Sequence, residues 1–171
     1  MKSRAKLLGH PLHPILIPFP LGLLITSFIF DIVYLLTHNA IFSVVAFWMI
    51  AAGVIGGLIA AVPGVIDWLA IPPGTRARSI ALWHMGSNAV AIVMFVLSWL
   101  IRIGASPGQT GAVAIILSLL GVVLSGVGGW LGGELVDRLG VGVDEGAHLN
   151  SPNSLSGRPA SEGSTGMQRE E

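Results

Sequence analysis

The stretch AIFSVVAFWMIAAGVIGGLIAAVPGVI, residues 40–66, contains no Asp, Glu, Lys, Arg or His. As an α-helix it would run roughly 40 Å, longer than the bilayer hydrocarbon core of about 30 Å. Its apolar residues lie all round the helix instead of forming one stripe, so no face suits water. The apolar run is continuous and does not alternate. Of the two structures that satisfy their backbone in lipid, this selects the helix over the closed barrel.

Three further stretches read the same way. Residues 14–36 carry a single charge, Asp31, and residues 79–101 and 109–133 carry no Asp, Glu, Lys or Arg. With the second span extended to about residue 68, the expected spans are 14–36, 40–68, 79–101 and 109–133. The whole chain agrees: 53% of its residues are hydrophobic, 11% are charged, and its mean hydropathy is +0.79. Soluble domains carry about 25% charged residues. The first apolar run exceeds the roughly 7–15 residues of a signal-peptide core and no A-x-A-like site follows it, so it reads as an uncleaved span.

Short connections (residues 37–39, 71–78 and 102–108) force neighbouring spans to run antiparallel. The expected fold is therefore all-α: an up-down four-helix transmembrane bundle in residues 1–143. The piece ELVDRLGVGV after the fourth span suits the membrane interface. From Asp144 to the end the chain is rich in Ser, Gly, Pro, Asn and Glu, so residues 144–171 are expected to form a disordered tail.

Antiparallel threading returns both termini to one side, here called side A. Side A then holds Lys2, Arg4, Lys6, Arg76, Arg78, Arg138, Arg158 and Arg169, and side B holds only Arg102. The excess of positive charge assigns side A to the cytoplasm. The net charge of zero points to no acidic or basic macromolecule. The few basic residues sit at a membrane face, which leaves nucleic-acid binding without support.

The same threading collects polar residues. His10 and His13 precede span one, Asp67 ends span two, His84 lies about 8 Å into span three, and Glu134 and Asp137 follow span four. All belong to side A, beside Arg76 and Arg78. Ionisable groups at membrane depth are costly and mark function. His10 and His13 each stand before a proline, which biases them away from helix. Pro14 suits the first helical position, and Pro18 and Pro20 remove two backbone bonds. A rigid, bent, extended collar aiming two imidazoles toward His84 is the expected result. Asp31, about 25 Å from Pro14, belongs near side B as a carboxylate satisfied by Arg102 or His38. His38 and His148 read as background. The five tryptophans fall near span ends, as interfacial belts require.

Two glycine rows promise close helix packing: Gly53 and Gly57 with Ala61 in span two, and Gly121, Ser125, Gly129 and Gly133 in span four. The latter row could also make room for a flat cofactor.

GHPLHPILIPFPLGLL, the aspartate near the end of span one, IDW, LWH and GGWLGGELV…GVGV together resemble a bacterial family of predicted membrane proteins, domain of unknown function 2231. The resemblance covers about residues 5–145. It implies a four-helix membrane domain and no established activity, and by motif it draws attention to His10, His13, Asp31, Asp67, His84 and Glu134.

Cysteine is absent, which excludes disulfides, Fe–S clusters and thiolate metal sites. No P-loop, dinucleotide fingerprint or nucleophile elbow is present. The leading functional expectation is a cofactor in the side A layer. One form is a transition-metal ion held by two or three of His10, His13 and His84 together with Asp67 or Glu134. The other is b-type haem with His84 and an early histidine as axial ligands and Arg76 or Arg78 at the propionates. A cofactor-free scaffold or accessory subunit is the alternative. Apart from the lipid bilayer, a second copy of the chain or a redox partner are the partner classes in view.

Overall fold

A computed structural model describes residues 1–106 and 108–163. The chain opens with a short antiparallel hairpin, β1 (Lys6–Leu7) and β2 (His10–Pro11). Leu8 and Gly9 turn it with φ of 50° and 85°, the left-handed pair that two-residue hairpins need. The helices follow: α1 (Leu12–Leu16), α2 (Pro18–Thr37), α3 (Ala40–Ala70), α4 (Arg76–Ile103) and α5 (Ala112–Gly133). A π-helical turn, Glu134–Arg138, continues α5, and a 3₁₀ turn spans Ser154–Ser156.

The segments Leu12–Thr37, Ala40–Ala70, Arg76–Ile103 and Ala112–Arg138 are each long and apolar enough to cross a membrane. The most extensive packing joins α2 to α3 and α4 to α5, and contacts of α3 with α4 and of α2 with α5 close the ring. Helices adjacent in sequence are thus adjacent in space, as an up-down bundle requires. Many large apolar side chains, Ile29, Ile59, Leu69 and Val113 among them, face outward. Such a surface suits lipid and is unsuited to water.

Leu24, Ile50 and Phe95 are buried at mid-bundle, with Val54, Ile92, Trp99 and Val122 packed around them. A second cluster at side A joins Ile71, Ala81 and Leu135 to Trp68, Leu139 and Val141. Two of the five tryptophans are therefore packing residues. Trp99 stacks on Phe47 with ring centroids 5.4 Å apart, and Trp68 lies under the Arg78 guanidinium at 4.3 Å. Trp48, Trp83 and Trp130 are exposed on the outer surface.

The start of the first span differs from the expected collar. His10 lies in the hairpin, but His13 is the second residue of α1. The helix begins at Leu12, whose N–H bonds Ala5 O at 2.8 Å. Pro14 is its third residue, where a missing N–H is harmless because the first turn has no intrahelical acceptors. The break comes at Ile17, between α1 and α2. There Pro18 and Pro20 deprive the carbonyls of Pro14 and Leu16 of their partners.

The glycine rows hold only in part: a Cβ on Gly53 would stand 2.7 Å from Leu24 and one on Gly57 2.8 Å from Ile92, so both pack closely. In α3 the buried positions are Ser43, Ala46, Ile50, Gly53, Gly56, Ala60 and Pro63, and Ala61 is exposed. In α5 they are Ala114, Ile115, Ser118, Gly121, Ser125 and Gly128, while a Cβ on Gly129 or Gly133 would meet nothing. An i,i+4 row drifts around a helix by about 40° per step, whereas a seam alternates steps of three and four.

After the π turn the chain folds back on the N-terminus. The Met1 ammonium donates to Gly140 O at 2.9 Å, Lys6 pairs with Asp144 at 2.6 Å, and Ser154 Oγ lies 3.2 Å from His10 Nε2. Between 144 and 163 only turns and the 3₁₀ turn occur. The rest of the expected disordered tail, 164–171, lies outside the described residues.

Candidate functional site

The four spans bring polar groups together at both ends of the bundle. At side B, the Arg102 guanidinium grips Asp31 in a bidentate fork, Nη1 to Oδ1 at 2.7 Å and Nη2 to Oδ2 at 2.6 Å. The Asp31 and Arg102 side chains are 0% and 3% exposed. The remaining guanidinium hydrogens go to Thr110 Oγ1 (3.3 Å), Ser118 Oγ (3.2 Å) and Ser98 Oγ (3.3 Å). All five donors of the arginine are therefore used. Ser43 in turn bonds Thr110 at 2.5 Å, so all four spans join one network. Asp31 is a satisfied carboxylate, as the sequence suggests, and Arg102 is its partner. His38 instead ends α2 in the left-handed conformation, φ 54°.

Side A is built differently. His13 Nδ1 lies 2.7 Å from Ala60 O, and His84 Nδ1 lies 2.8 Å from Gly128 O. A carbonyl only accepts, so each Nδ1 carries the proton and each Nε2 of the neutral ring keeps its lone pair. Among the described residues neither Nε2 takes part in a protein hydrogen bond. The two rings approach edge to face, with centroids 6.1 Å apart.

Glycine makes this possible. A Cβ on Gly64 would stand 2.9 Å from the His13 ring, and one on Gly132 would stand 3.2 Å from His84 Cε1. Gly128 faces Asn88, whose amide donates to His84 O at 2.8 Å. Gly128 and Gly132 of α5 are thus occupied by Asn88 and His84. Asn88, Gly64, Gly128 and Gly132 escape a reading that looks only for titratable groups. The i,i+4 spacing of His84 and Asn88 is the one signal that places them on a common face.

The other expected site residues are held elsewhere. Asp67 accepts from Ser3 Oγ at 2.7 and 2.9 Å, from Arg4 N at 2.7 Å and from Ala5 N at 3.2 Å. It anchors the N-terminal segment and pairs with neither arginine nor histidine. A carboxylate offers several acceptor sites at once, and the adjacent N–H groups of an extended chain fill them. Arg78 donates to Trp68 O (3.1 Å) and Ile71 O (2.8 Å), tying down the end of α3. Arg76 pairs with Glu134 at 2.5 Å on an exposed face. His10 is exposed beside Ser154, and Asp137 lines a shallow surface pocket with Trp130, Gly133, Glu134 and Arg138. His148 is bonded within the C-terminal turns. Nearby, the hydrogen bonds that Arg158 donates hold the Glu162 carboxyl below the usual carboxylate range. Among the described residues, no group of three or more His, Cys, Asp or Glu side chains comes together in a way that could hold a metal ion.

Replacing Asp67 with alanine should release the first residues of the chain. Hydrogen bonds to a charged group are worth about 1.5–3 kcal/mol each, much of it lost here at once. Limited trypsin digestion checks this, because Lys2, Arg4 and Lys6 become accessible in Asp67→Ala at protease levels that spare the wild type.

The comparisons with known proteins agree with this architecture. No curated protein and no solved structure matches the chain. A family model described as predicted membrane protein (DUF2231) matches residues 9–145, from the turn of the N-terminal hairpin through all four spans to the point where the chain has folded back on Lys6, and the chain belongs to that family.

Proposed function

We propose that this integral membrane protein binds a transition-metal ion between His13 and His84. The observation that supports the reading is the pair of imidazoles anchored through Nδ1 to backbone carbonyls, with their centroids 6.1 Å apart. Metal-bound histidines are commonly oriented by such a second hydrogen bond, which sets the tautomer and leaves Nε2 for the ion. Imidazole alone suits zinc, copper, iron or nickel. His10, Asp67 and Glu134 drop out of the ligand set because their partners lie elsewhere.

Haem is the weaker form of the proposal. The space beside Gly128 and Gly132 is filled by Asn88 and His84, and Arg76 and Arg78 are committed to Glu134 and to the end of α3. The cofactor-free scaffold draws support from the complete pairing of Asp31, Asp67 and Arg102. Equilibrium dialysis of the lipid-reconstituted protein against first-row metal ions decides between them. The expected result is one ion per chain, retained in His10→Ala and weakened roughly 100-fold or more in His84→Asn. Wild-type protein that retains no ion would leave the scaffold as the better account.

The orientation we propose is side A in the cytoplasm of a bacterial inner membrane, with residues 1–143 as the membrane unit and 144–171 as an appendage. The excess of Lys and Arg on that side supports it. The chain has no native cysteine, so single cysteines report topology without background. Cysteines at 74 and 150 should resist an impermeant maleimide in intact cells, and one at 105 should react. The reverse pattern would overturn the assignment.

A further inference from the structure

We propose that the outer face of α5 at side A holds a zwitterionic phospholipid with a primary ammonium, of the phosphatidylethanolamine type. This site is independent of the metal ion proposed between His13 and His84. Three observations carry it. First, the chain builds a pocket at headgroup depth. Trp130, Gly133, Glu134, Asp137 and Arg138 line a surface cavity of about 230 Å³. Their spacing, i, i+3, i+4, i+7 and i+8, sets them on one stripe of the helix. The stripe rises roughly 12 Å, enough to pass from the acyl chains through a headgroup layer about 5–8 Å thick. It closes the membrane-spanning stretch Ala112–Arg138. The backbone of Glu134–Arg138 is π-helical, an irregularity frequently found at functional sites.

Second, the charges in the pocket match a zwitterion. Glu134 is neutralised by Arg76. Asp137 and Arg138 remain, an acid and a base on adjacent exposed residues. Among the described residues neither side chain has a hydrogen-bond or ion-pair partner. An arginine fork donates to phosphate oxygens, and a primary ammonium donates to a carboxylate. In this headgroup a two-carbon link joins phosphate to ammonium, so neighbouring side chains can hold both ends. The ammonium gains twice more. The carbonyls at the C-terminal end of the helix carry partial negative charge, and the exposed Trp130 indole offers a π face to a cation. An anionic headgroup without an amine would set a like charge beside Asp137.

Third, the surface leading to the pocket is shaped for a chain. A Cβ on Gly126, Gly129 or Gly133 would meet nothing. The three follow steps of three and four, so their missing side chains leave one shallow groove running from the pocket toward the membrane centre. Val123 and Val127 are exposed beside it. An acyl chain lying in that groove is continuous with a headgroup in the pocket, which a soluble ion would not be.

The experiment is native mass spectrometry of the delipidated full chain, titrated separately with phosphatidylethanolamine, phosphatidylcholine and phosphatidylglycerol of matched acyl chains. One phosphatidylethanolamine per chain is expected, held roughly tenfold more tightly than either other lipid, the worth of one charge-assisted hydrogen bond. Asp137→Asn should erase the preference over phosphatidylcholine. Arg138→Gln should weaken both zwitterionic lipids alike, and Gly133→Leu should fill the groove and release the lipid. Asp137 and Arg138 have no protein partner to lose and a Cβ at 133 meets nothing, so all three variants should match the wild type by circular dichroism. Phosphatidylcholine held as tightly as phosphatidylethanolamine by the wild type would overturn the role given to the ammonium, and with it the proposal. Tighter binding of phosphatidylglycerol would overturn it in favour of a general basic surface. A preference for phosphatidylethanolamine that persists in both Asp137→Asn and Gly133→Leu would put the lipid elsewhere on the bundle.

Discussion

Asp31→Ala is expected to destabilise the bundle by about 3–5 kcal/mol, the range for removing one partner of a buried ion pair. The reason is the state of what remains. Arg102 keeps its charge, is 3% exposed in its side chain, and loses two of its five acceptor contacts. Arg102→Ala leaves Asp31 stranded in the same way at 0% exposure. Replacing both at once, Asp31→Leu with Arg102→Met, removes the stranded charge and should cost far less than either single change, because a buried pair and an apolar substitute of similar volume are often nearly equivalent. Equilibrium unfolding in mixed micelles measures all three. A single variant within about 1 kcal/mol of the wild type would mean that water or lipid headgroups already solvate the pair, as at a surface salt bridge.

The second large effect separates two glycines eight residues apart. Gly121→Leu should destabilise by about 1–3 kcal/mol through overpacking. Its Cβ alone would stand 2.6 Å from Cε2 of Phe95, a ring that is 0% exposed and has no free side to move toward. Gly129→Leu should be neutral or stabilising by up to about 1 kcal/mol, because leucine is the better helix former and the position meets nothing. Opposite signs in the same unfolding assay are the signature of a seam that passes through 121, 125, 128 and 132. Equal losses would restore the straight i,i+4 row and imply that a second protein face covers 129.

How much was legible beforehand varies with the kind of residue. The four spans, their antiparallel order and the placing of Asp31 at the same end as Arg102 and His38 all follow from apolar length and from counting crossings; that Arg102 is the partner came from the structure. The approach of His13 to His84 follows from the same count. Other assignments did not survive. Asp67 reads as a partner for arginine or histidine, yet Ser3 and the N–H groups of Arg4 and Ala5 take it. Backbone donors have no sequence signature. Gly129 and Gly133 read as packing residues because a regular i,i+4 spacing is easy to see, while the true seam alternates. Pro14 reads as the first helical residue, yet the helix starts at Leu12 because Ala5 O captures its N–H and Ala60 O holds the next side chain.

By itself, the sequence determined that the chain lives in lipid, how often it crosses, and which ionisable groups share an end. These depend on hydrophobic length and chain parity, which are properties of the linear order of residues. Only the tertiary structure decided which polar atoms meet. Hydrogen bonds reach about 3 Å and depend on the rotation of each helix about its axis. That rotation is set by side-chain packing among all four spans together, at positions such as Gly64, Gly121 and Gly132 where a missing Cβ lets a neighbouring ring come close.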